Sequence, residues 1–293
     1  LARGAADCSV VVEPELLQAG AQGIVRARWR PGRAVRHEGI RAELSCVERV
    51  VYETHATDAQ GHSRTQRNTA TETIHAVTTQ LAPAGTVGAD GEEWSFPVTI
   101  PALAPPSYPG ETLRITWLLR VLASVGGPDL ASNVELSVGA PVERLSAGVF
   151  RLEAGAPMIE VTVEGGGSIA VEPVPFDLET GGRATLALPP APADSRGVRV
   201  TLLSDATVTR AGGVASSAVV AERTLPVSAV PGVVELAGPF APLPDLDSPN
   251  GRARGRLVVT YDVPNALDET FERPLALVRG HLDGPVRWDP PGG

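Results

Sequence analysis

Residues 96–123 read FPVTIPALAPPSYPGETLRITWLLRVLA and place two apolar, strand-like runs on either side of a proline-rich connection. The first run covers 96–100, and the second begins at Leu113. Proline has no N–H to donate to a sheet ladder and is excluded from strand interiors. The prolines therefore predict a stiff, extended segment that crosses from one sheet to another. This predicted structural hinge consists of Pro101, Pro105, Pro106, Ser107 and Gly110.

Alternation of apolar and polar residues recurs along the whole chain, whereas the three- and four-residue spacing of amphipathic helices is nearly absent. Turn clusters such as 30–33 (RPGR) and 212–213 (GG) interrupt the alternation at short intervals. Many short strands with regular turn signals predict an all-β fold of antiparallel sandwiches. Aromatic residues make up only 4% of the chain, which fits thin layers with small β-branched cores.

The bulk numbers exclude several classes of protein. A length of 293 residues suits two domains, and a net charge of −9 argues against a general nucleic-acid binder, which needs a basic surface. No apolar run reaches the roughly 20 residues of a membrane helix, so no membrane insertion is expected. Two cysteines are too few for a disulfide framework, and whether Cys8 and Cys46 pair stays open. We expect a cytoplasmic location, or secretion if a signal peptide precedes Leu1.

Four features recur in the same order in the two halves of the chain, which predicts two copies of one β unit. The pairs are Leu17–Gly20 with Leu178–Gly181, Phe96 with Phe240, Ser107–Gly110 with Ser248–Gly251, and Trp117 with Tyr261.

The strand rhythm is interrupted near Pro141 to Gly148, where the sequence reads PVERLSAG. We therefore expect an N-terminal sandwich at 1–141 and a C-terminal sandwich at 148–288. A linker at 142–147 would join them, and a flexible tail would occupy 289–293.

The late part of the first half resembles the N-terminal domain of the arrestin family. The order of Phe96, Pro101, the pair Pro106-Ser107, Gly110 and the aromatic-centred run 115–121 carries the likeness. Earlier strands at 20–25, 39–44 and 51–53 and a later one at 129–138 resemble the same domain. The likeness covers about residues 10–140 and is nearest to the bacterial arrestin-like, sporulation-control-type branch.

This resemblance implies two immunoglobulin-like, arrestin-type β-sandwiches hinged side by side. It also implies an adaptor or scaffold role with protein partners, no cofactor and no enzymatic activity. The phosphate-sensing lysines of receptor arrestins have no counterpart, because all 25 cationic residues here are arginine. Binding to phosphorylated receptors is therefore not carried over.

Arginines are concentrated near the start of the chain, and the alternation in 24–30 (IVRARWR) places three of them on one strand face. A row of guanidinium groups suits phosphate or carboxylate groups of a partner. The alternative is a solvated outer face that pairs with residues such as Glu43 or Glu48 and protects a sheet edge. The candidate partner-binding residues are Arg26, Arg28, Arg30, Arg33 and Arg36.

Three further patterns have simpler structural explanations. The segment 105–108 (PPSY) spells a WW-domain ligand, but it lies between two strands. His55, Asp58 and His62 flank a hairpin loop without a metal-binding motif, so no metal is expected. The segment 245–251 (DLDSPNG) lacks the closing glutamate of a calcium loop and favours a polar-capped turn.

The sequence contains no trace of a catalytic triad, no Gly-x-Ser-x-Gly motif, no recognisable catalytic cysteine and no phosphate-binding loop. Our first hypothesis is a non-enzymatic, arrestin-like adaptor that binds proteins through sandwich edges, an interdomain groove and loops. The Ser/Thr-rich segment 65–79, interpreted as a loop, is among the candidate contacts. The alternative is a pair of secreted or surface-attached immunoglobulin-like adhesion modules.

Overall fold

The computed structural model describes residues 7–57, 63–126, 129–139, 158–162, 174–179, 181–187, 191–229, 232–264 and 268–279. Within these ranges the chain is almost entirely β, with one short 3-10 helix, Val227–Ala229. The all-β prediction is therefore confirmed. No helix in the described part of the chain is long and apolar enough to cross a membrane. The predicted linker at 142–147 and tail at 289–293 lie outside the described residues.

Nine strands form the first half of the fold and belong to two sheets. One sheet has the order β1-β3-β7, and the other has the order β2-β9-β8-β4-β5, with the short β6 paired to β4. The strands are β1 Asp7–Glu13, β2 Leu16–Gln18, β3 Gln22–Arg30, β4 Val35–Thr57, β5 Ser63–Ala82, β6 Gly85–Val87, β7 Glu92–Thr99, β8 Leu113–Val125 and β9 Leu130–Gly139.

Nine more strands form the second half. They follow the order β10-β12-β11-β18-β17-β13-β14, with β15 paired to β12 and β16 paired to β17. The strands are β10 Met158–Thr162, β11 Val174–Asp177, β12 Gly181–Ala187, β13 Gly197–Val208, β14 Ala215–Leu225, β15 Gly232–Ala237, β16 Leu246–Ser248, β17 Gly251–Asp262 and β18 Glu269–Val278.

The strand order of the first half is repeated in the second. The order β1-β3-β7 corresponds to β10-β12-β15, and β2-β9-β8-β4-β5 corresponds to β11-β18-β17-β13-β14. In both halves a short early strand pairs in parallel with the last strand, β2 with β9 and β11 with β18. All other pairings between described strands are antiparallel wherever their register is defined. The repeated layout agrees with the internal similarity read from the sequence.

The sequence pairs correspond less closely than the strands do. Leu17 lies opposite Val138 on β9, and Phe176 lies opposite Leu277 on β18, so Phe176 rather than Leu178 occupies the position of Leu17. Phe96 lies within β7, whereas Phe240 follows the end of β15. The expected match between these two phenylalanines is therefore wrong. The two residues were paired by residue type and order in the sequence, but only Phe96 lies within a strand.

Contacts divide the chain into two compact units. Unit 1 consists of Leu1–Arg49, Thr69–Ser107 and Arg114–Pro141, and unit 2 consists of Val50–Asn68, Tyr108–Leu113 and Val142–Gly293. The cores are aliphatic and β-branched, with a few fully buried aromatics such as Trp117 in unit 1 and Phe176 and Tyr261 in unit 2.

Strand β5 corrects one expectation. The segment 65–79, interpreted as a Ser/Thr-rich loop, lies within this long strand, which occupies the end of its sheet. Both of its faces are largely polar and exposed, so the apolar alternation that reveals a half-buried strand is missing. Its many threonines nevertheless favour the extended backbone, because β-branched side chains fit a pleated strand well.

Candidate functional site: the arginine face of strand β3

Strand β3 has the two-faced character that its sequence predicts. Val25, Ala27 and Trp29 are buried, and the three arginines that alternate with them are exposed. A strand points successive side chains to opposite faces, so one face closes the core and the other meets solvent. We call the outward surface formed by Arg26, Arg28 and Arg30 the arginine face.

The strands on either side of β3 supply mixed chemistry to this face. On the β1 side, Val11 lies opposite Arg26 and Ser9 lies opposite Arg28. On the β7 side, Ser95 lies opposite Arg26 and Glu93 lies opposite Arg28. The face is therefore a column of three arginines with small polar and apolar neighbours, and with Glu93 directly opposite the central Arg28.

One of the three arginines has a defined ionic partner. Arg26 Nη2 lies 3.3 Å from Glu13 Oε2, with both side chains more than half exposed, and Arg28 and Arg30 make no ion pair among the described residues. Glu43, the partner expected from the sequence, instead pairs with Arg41 at 2.9 Å, and Glu48 is buried. Two guanidinium groups thus keep their donors open to a partner.

Arg33 and Arg36 are placed differently from the other candidates. Arg33 is exposed in the turn after β3, next to Gly32, whose φ of 73° suits glycine. Arg36 is exposed on β4 opposite Thr86 of β6, and so belongs to the other sheet of unit 1. The structure therefore brings together three of the five predicted arginines on one strand.

The proline-rich segment connects the two sheets of unit 1. It follows β7, which belongs to one sheet, and ends at β8, which belongs to the other. Two contacts fix its first part within unit 1. The indole N–H of Trp117 donates to the Pro105 carbonyl at 2.9 Å, and the Ser107 amide donates to the Val138 carbonyl at 2.8 Å.

The later residues of the crossing are buried in unit 2. Tyr108 is 1% exposed, and its hydroxyl shares a hydrogen bond of 3.0 Å with that of Ser204. Burial raises the pKa of the Tyr108 phenol. A Cβ at Gly110 would collide with the Tyr108 ring and the Leu113 carbonyl, which explains the glycine. The buried tyrosine also excludes 105–108 as a WW-domain ligand, because such a ligand must lie free.

The remaining candidates are accounted for locally. His55 lies on β4 and hydrogen-bonds the Thr65 hydroxyl at 3.0 Å, while Asp58 and His62 lie outside the described residues. No group of three or more potential metal ligands occurs among the residues that the structure describes. Cys8 and Cys46 form no disulfide, and burial, helped by Glu48, raises the pKa of Cys46 to about 12.

The segment 245–251 forms the turn that its sequence predicts, with one surprise. Strand β16 leads through a two-residue turn into β17, and Ser248 Oγ donates to the Gly251 carbonyl at 2.9 Å. Asp247 is exposed and holds Arg254 at 2.7 Å. Asp245, however, is half-buried and accepts hydrogen bonds from the Gly255 and Leu277 amides.

Sequence reasoning missed a cleft in unit 1 between the two outermost strands β5 and β7. It has a volume of about 280 Å³. Its floor is apolar, and Val77, which is 48% exposed, lies at its rim. The residues that line the cleft include His75, Val77 and Thr79 on β5 and Phe96 and Val98 on β7. Only Ile74 and Val77, two apolar residues in an otherwise polar stretch, could have signalled it.

Comparison of the sequence with protein-family models and with curated proteins found no match.

Proposed function

We propose that this chain is a non-enzymatic, arrestin-like adaptor that binds acidic segments of protein partners through the arginine face. The exposed guanidinium groups of Arg28 and Arg30, which make no ion pair with any residue that the structure describes, carry this proposal. Guanidinium groups donate in a planar fork that matches carboxylate and phosphate oxygens. Strand β3 holds these groups in a row on a rigid sheet, which limits the conformational entropy that binding must remove.

The layout of the chain supports the arrestin-like part of the proposal. The two halves share one strand order. In the first half a connection follows β7, the neighbour of β3, and in the second half a connection follows β15, the neighbour of β12. Phe96 lies on β7, and Pro101 and Ser107 lie in the sheet-to-sheet crossing. Two tandem sandwiches of the arrestin type account for both observations.

The test compares binding by two triple variants of equal charge change. Replacing Arg26, Arg28 and Arg30 by alanine should weaken binding to a polyglutamate probe at least tenfold, since each lost charge-assisted contact contributes about 1 kcal/mol or more. The matched control replaces the exposed Arg199, Arg223 and Arg252 of unit 2 by alanine. Surface plasmon resonance at two salt concentrations gives the affinities.

Equal weakening by the two triple variants would contradict the proposal, because net charge alone would then explain binding. Partners captured from a native lysate by the wild type should be lost from the β3 variant and kept by the control. A catalytic activity that survives in purified protein and follows it through both variants would overturn the non-enzymatic assignment.

A further inference from the structure

We propose that strand β5 pairs with β5 of a second copy of this chain, antiparallel and centred on Ala76, to give a symmetric dimer. The inference concerns the cleft and the sheet edge of unit 1, and it does not depend on the adaptor function.

The first observation is that β5 is a terminal strand whose second half, residues 73–82, lacks protection. It is paired only with β4 in the described sheet, so one side of its backbone has no ladder. Proteins commonly protect such edges with proline, charge, short length or a bulge. The stretch 73–82 (TIHAVTTQLA) contains no proline and no Asp, Glu, Lys or Arg.

Other terminal strands in the described part of the chain carry such protection. Strand β7 has Pro97 in its interior and begins with Glu92 and Glu93. Strand β14 has a register irregularity against β13 between Leu202 and Leu203 and carries charge at its end. Strand β2 has only three residues. The run without charge or proline covers ten residues in β5 (73–82), against seven in β14 (215–221) and five in β1 (8–12), and Glu160 interrupts β10. This length favours β5 as the edge open to pairing.

The second observation is that this stretch complements itself when it runs antiparallel to a copy. With Ala76 opposite Ala76 of the second copy, the flanking pairs contain no like charges. Thr–Thr and β-branched pairs directly opposite one another stabilise antiparallel strands. The pairs formed across the two-fold axis are Glu72 with Gln80, Thr73 with Thr79, Ile74 with Thr78 and His75 with Val77.

The third observation is the orientation of the cleft. His75, Val77 and Thr79 all line it, so the odd-numbered side chains of β5 share the inner face of the sheet. The His75 ring lies 5.7 Å from that of the buried Trp117, which agrees with this orientation. Each pair joins residues of the same face, so the clefts of the two copies face one another. The exposed Val77 of each copy is then covered by the other.

These features favour a second copy over an unrelated peptide, because the stretch 73–82 offers an open strand edge and its own sequence also fits against that edge. An isologous interface of this kind closes on itself and does not grow into a fibre. Strand pairing over about nine residues covers less surface than a standard interface, so we expect a dissociation constant in the micromolar range.

The test uses charge at the symmetry axis of the full chain. Ala76→Lys places two cations opposite each other in the dimer, and Ala76→Glu places two anions there. Each variant should raise the dissociation constant at least tenfold in sedimentation equilibrium. An equimolar mixture of the two should form a heterodimer at least as tight as the wild type.

The matched control is Val219→Lys on the terminal strand β14, where the exposed valine changes by the same charge. It should leave the dimer unchanged. In the wild type, hydrogen exchange at residues 73–79 should slow as protein concentration rises, which needs no variant. A wild type that stays monomeric at high micromolar concentration overturns the proposal. So does a dimer insensitive to both Ala76 variants, or a mixture that fails to associate.

Discussion

The two halves of this chain attach their crossing segments to the last strand in the same way, but with different side chains. In unit 1, Ser107 donates its amide to the Val138 carbonyl at 2.8 Å and accepts from the Val138 amide at 3.0 Å through its hydroxyl. In unit 2, Asp245 donates its amide to the Leu277 carbonyl at 2.7 Å and accepts from the Leu277 amide at 3.1 Å through its carboxyl group.

The common arrangement solves a common problem. The ladder between β8 and β9 stops at the pair Trp117 and Leu136, and β9 continues beyond it to Gly139. The ladder between β17 and β18 likewise stops before the end of β18. In each half the crossing segment hydrogen-bonds backbone groups of the last strand, β9 or β18, beyond the end of its ladder with β8 or β17. Buried backbone groups without partners cost free energy, so each half needs a polar side chain at this position.

The difference between the halves lies in charge. The hydroxyl of Ser107 both accepts from Val138 and donates to the Leu136 carbonyl at 3.1 Å, and it carries no charge. The carboxyl group of Asp245 accepts hydrogen bonds from two amides and is half-buried. Burial raises its pKa from 3.8 to about 6, despite the lowering effect of the two amides and of Arg254. The Ser107 hydroxyl therefore carries no charge at any pH, whereas the Asp245 carboxyl group gains its charge as the pH rises through about 6.

The largest effect is expected at the glycines that follow the parallel strands β2 and β11. Gly20 and Gly181 have φ of 84° and 82°, so alanine strains both backbones by about 1–2 kcal/mol. A Cβ at Gly181 would also overlap the Leu236 carbonyl, whereas at Gly20 the nearest atoms belong to Ala102 at 3.5 Å. Gly181→Ala should cost more than about 4 kcal/mol of unfolding free energy.

Urea unfolding of the two alanine variants provides the measurement, and Gly20→Ala is the matched control for backbone strain. Equal losses of stability would show that the two turns do not differ in the space around the glycine. That result would contradict the prediction of a larger loss at Gly181.

A middle-sized effect is expected for Asp245→Asn, and it depends on pH. The amide oxygen still accepts from Gly255 and Leu277, but the variant has no charge to bury. Because the folded pKa lies above the unfolded one, the wild type loses stability as pH rises from about 4 through about 6. Near pH 8 the variant should be more stable by up to about 3 kcal/mol, and near pH 4 the advantage should vanish.

Thermal and urea unfolding of the wild type and of Asp245→Asn across this pH range gives the contribution of the Asp245 carboxyl group, because the two proteins share all other carboxyl groups. Asp247→Asn serves as a control, because that carboxylate is exposed and pairs with Arg254 at the surface. Its effect should stay below about 1 kcal/mol. A stability difference between wild type and Asp245→Asn that does not change with pH would refute the proposed titration.

The smallest effect is expected for Ser107→Ala. The Val138 amide loses its acceptor and the Leu136 carbonyl loses a donor, which should cost about 1–2 kcal/mol. The loss should be the same at every pH, and hydrogen exchange of the Val138 amide should accelerate. Ser137→Ala, a change on β9 next to Val138, is the control. A pH-dependent loss would break the contrast with Asp245.

The parts of this fold that were predictable from sequence have strong local signals. Strand β3 was predictable because each exposed arginine follows a buried apolar residue. The crossing was predictable because four prolines cannot sit in a ladder, and β8 begins at Leu113 as expected. The repeated order of turns and strands also pointed to the repeated topology.

Other features depend on partners that are distant in sequence. Strand β5 was mistaken for a loop because an edge strand that is polar on both faces lacks apolar alternation. The partner of Arg26 is Glu13 rather than Glu43, and only the register of β1 against β3 brings it near. Asp245 looked like an ordinary turn residue, since burial by β17 and β18 cannot be read from neighbouring residues.

The parallel pairing of β2 with β9 also has a consequence for synthesis on the ribosome. Leu16 cannot meet its partner until Ser137 has been translated, and Val174 likewise waits for Leu275. At about 5–20 residues per second, each early strand remains unpaired for on the order of ten seconds. Each half therefore completes its sheet only after its closing strand has emerged, and nascent-chain chaperones have that interval in which to act.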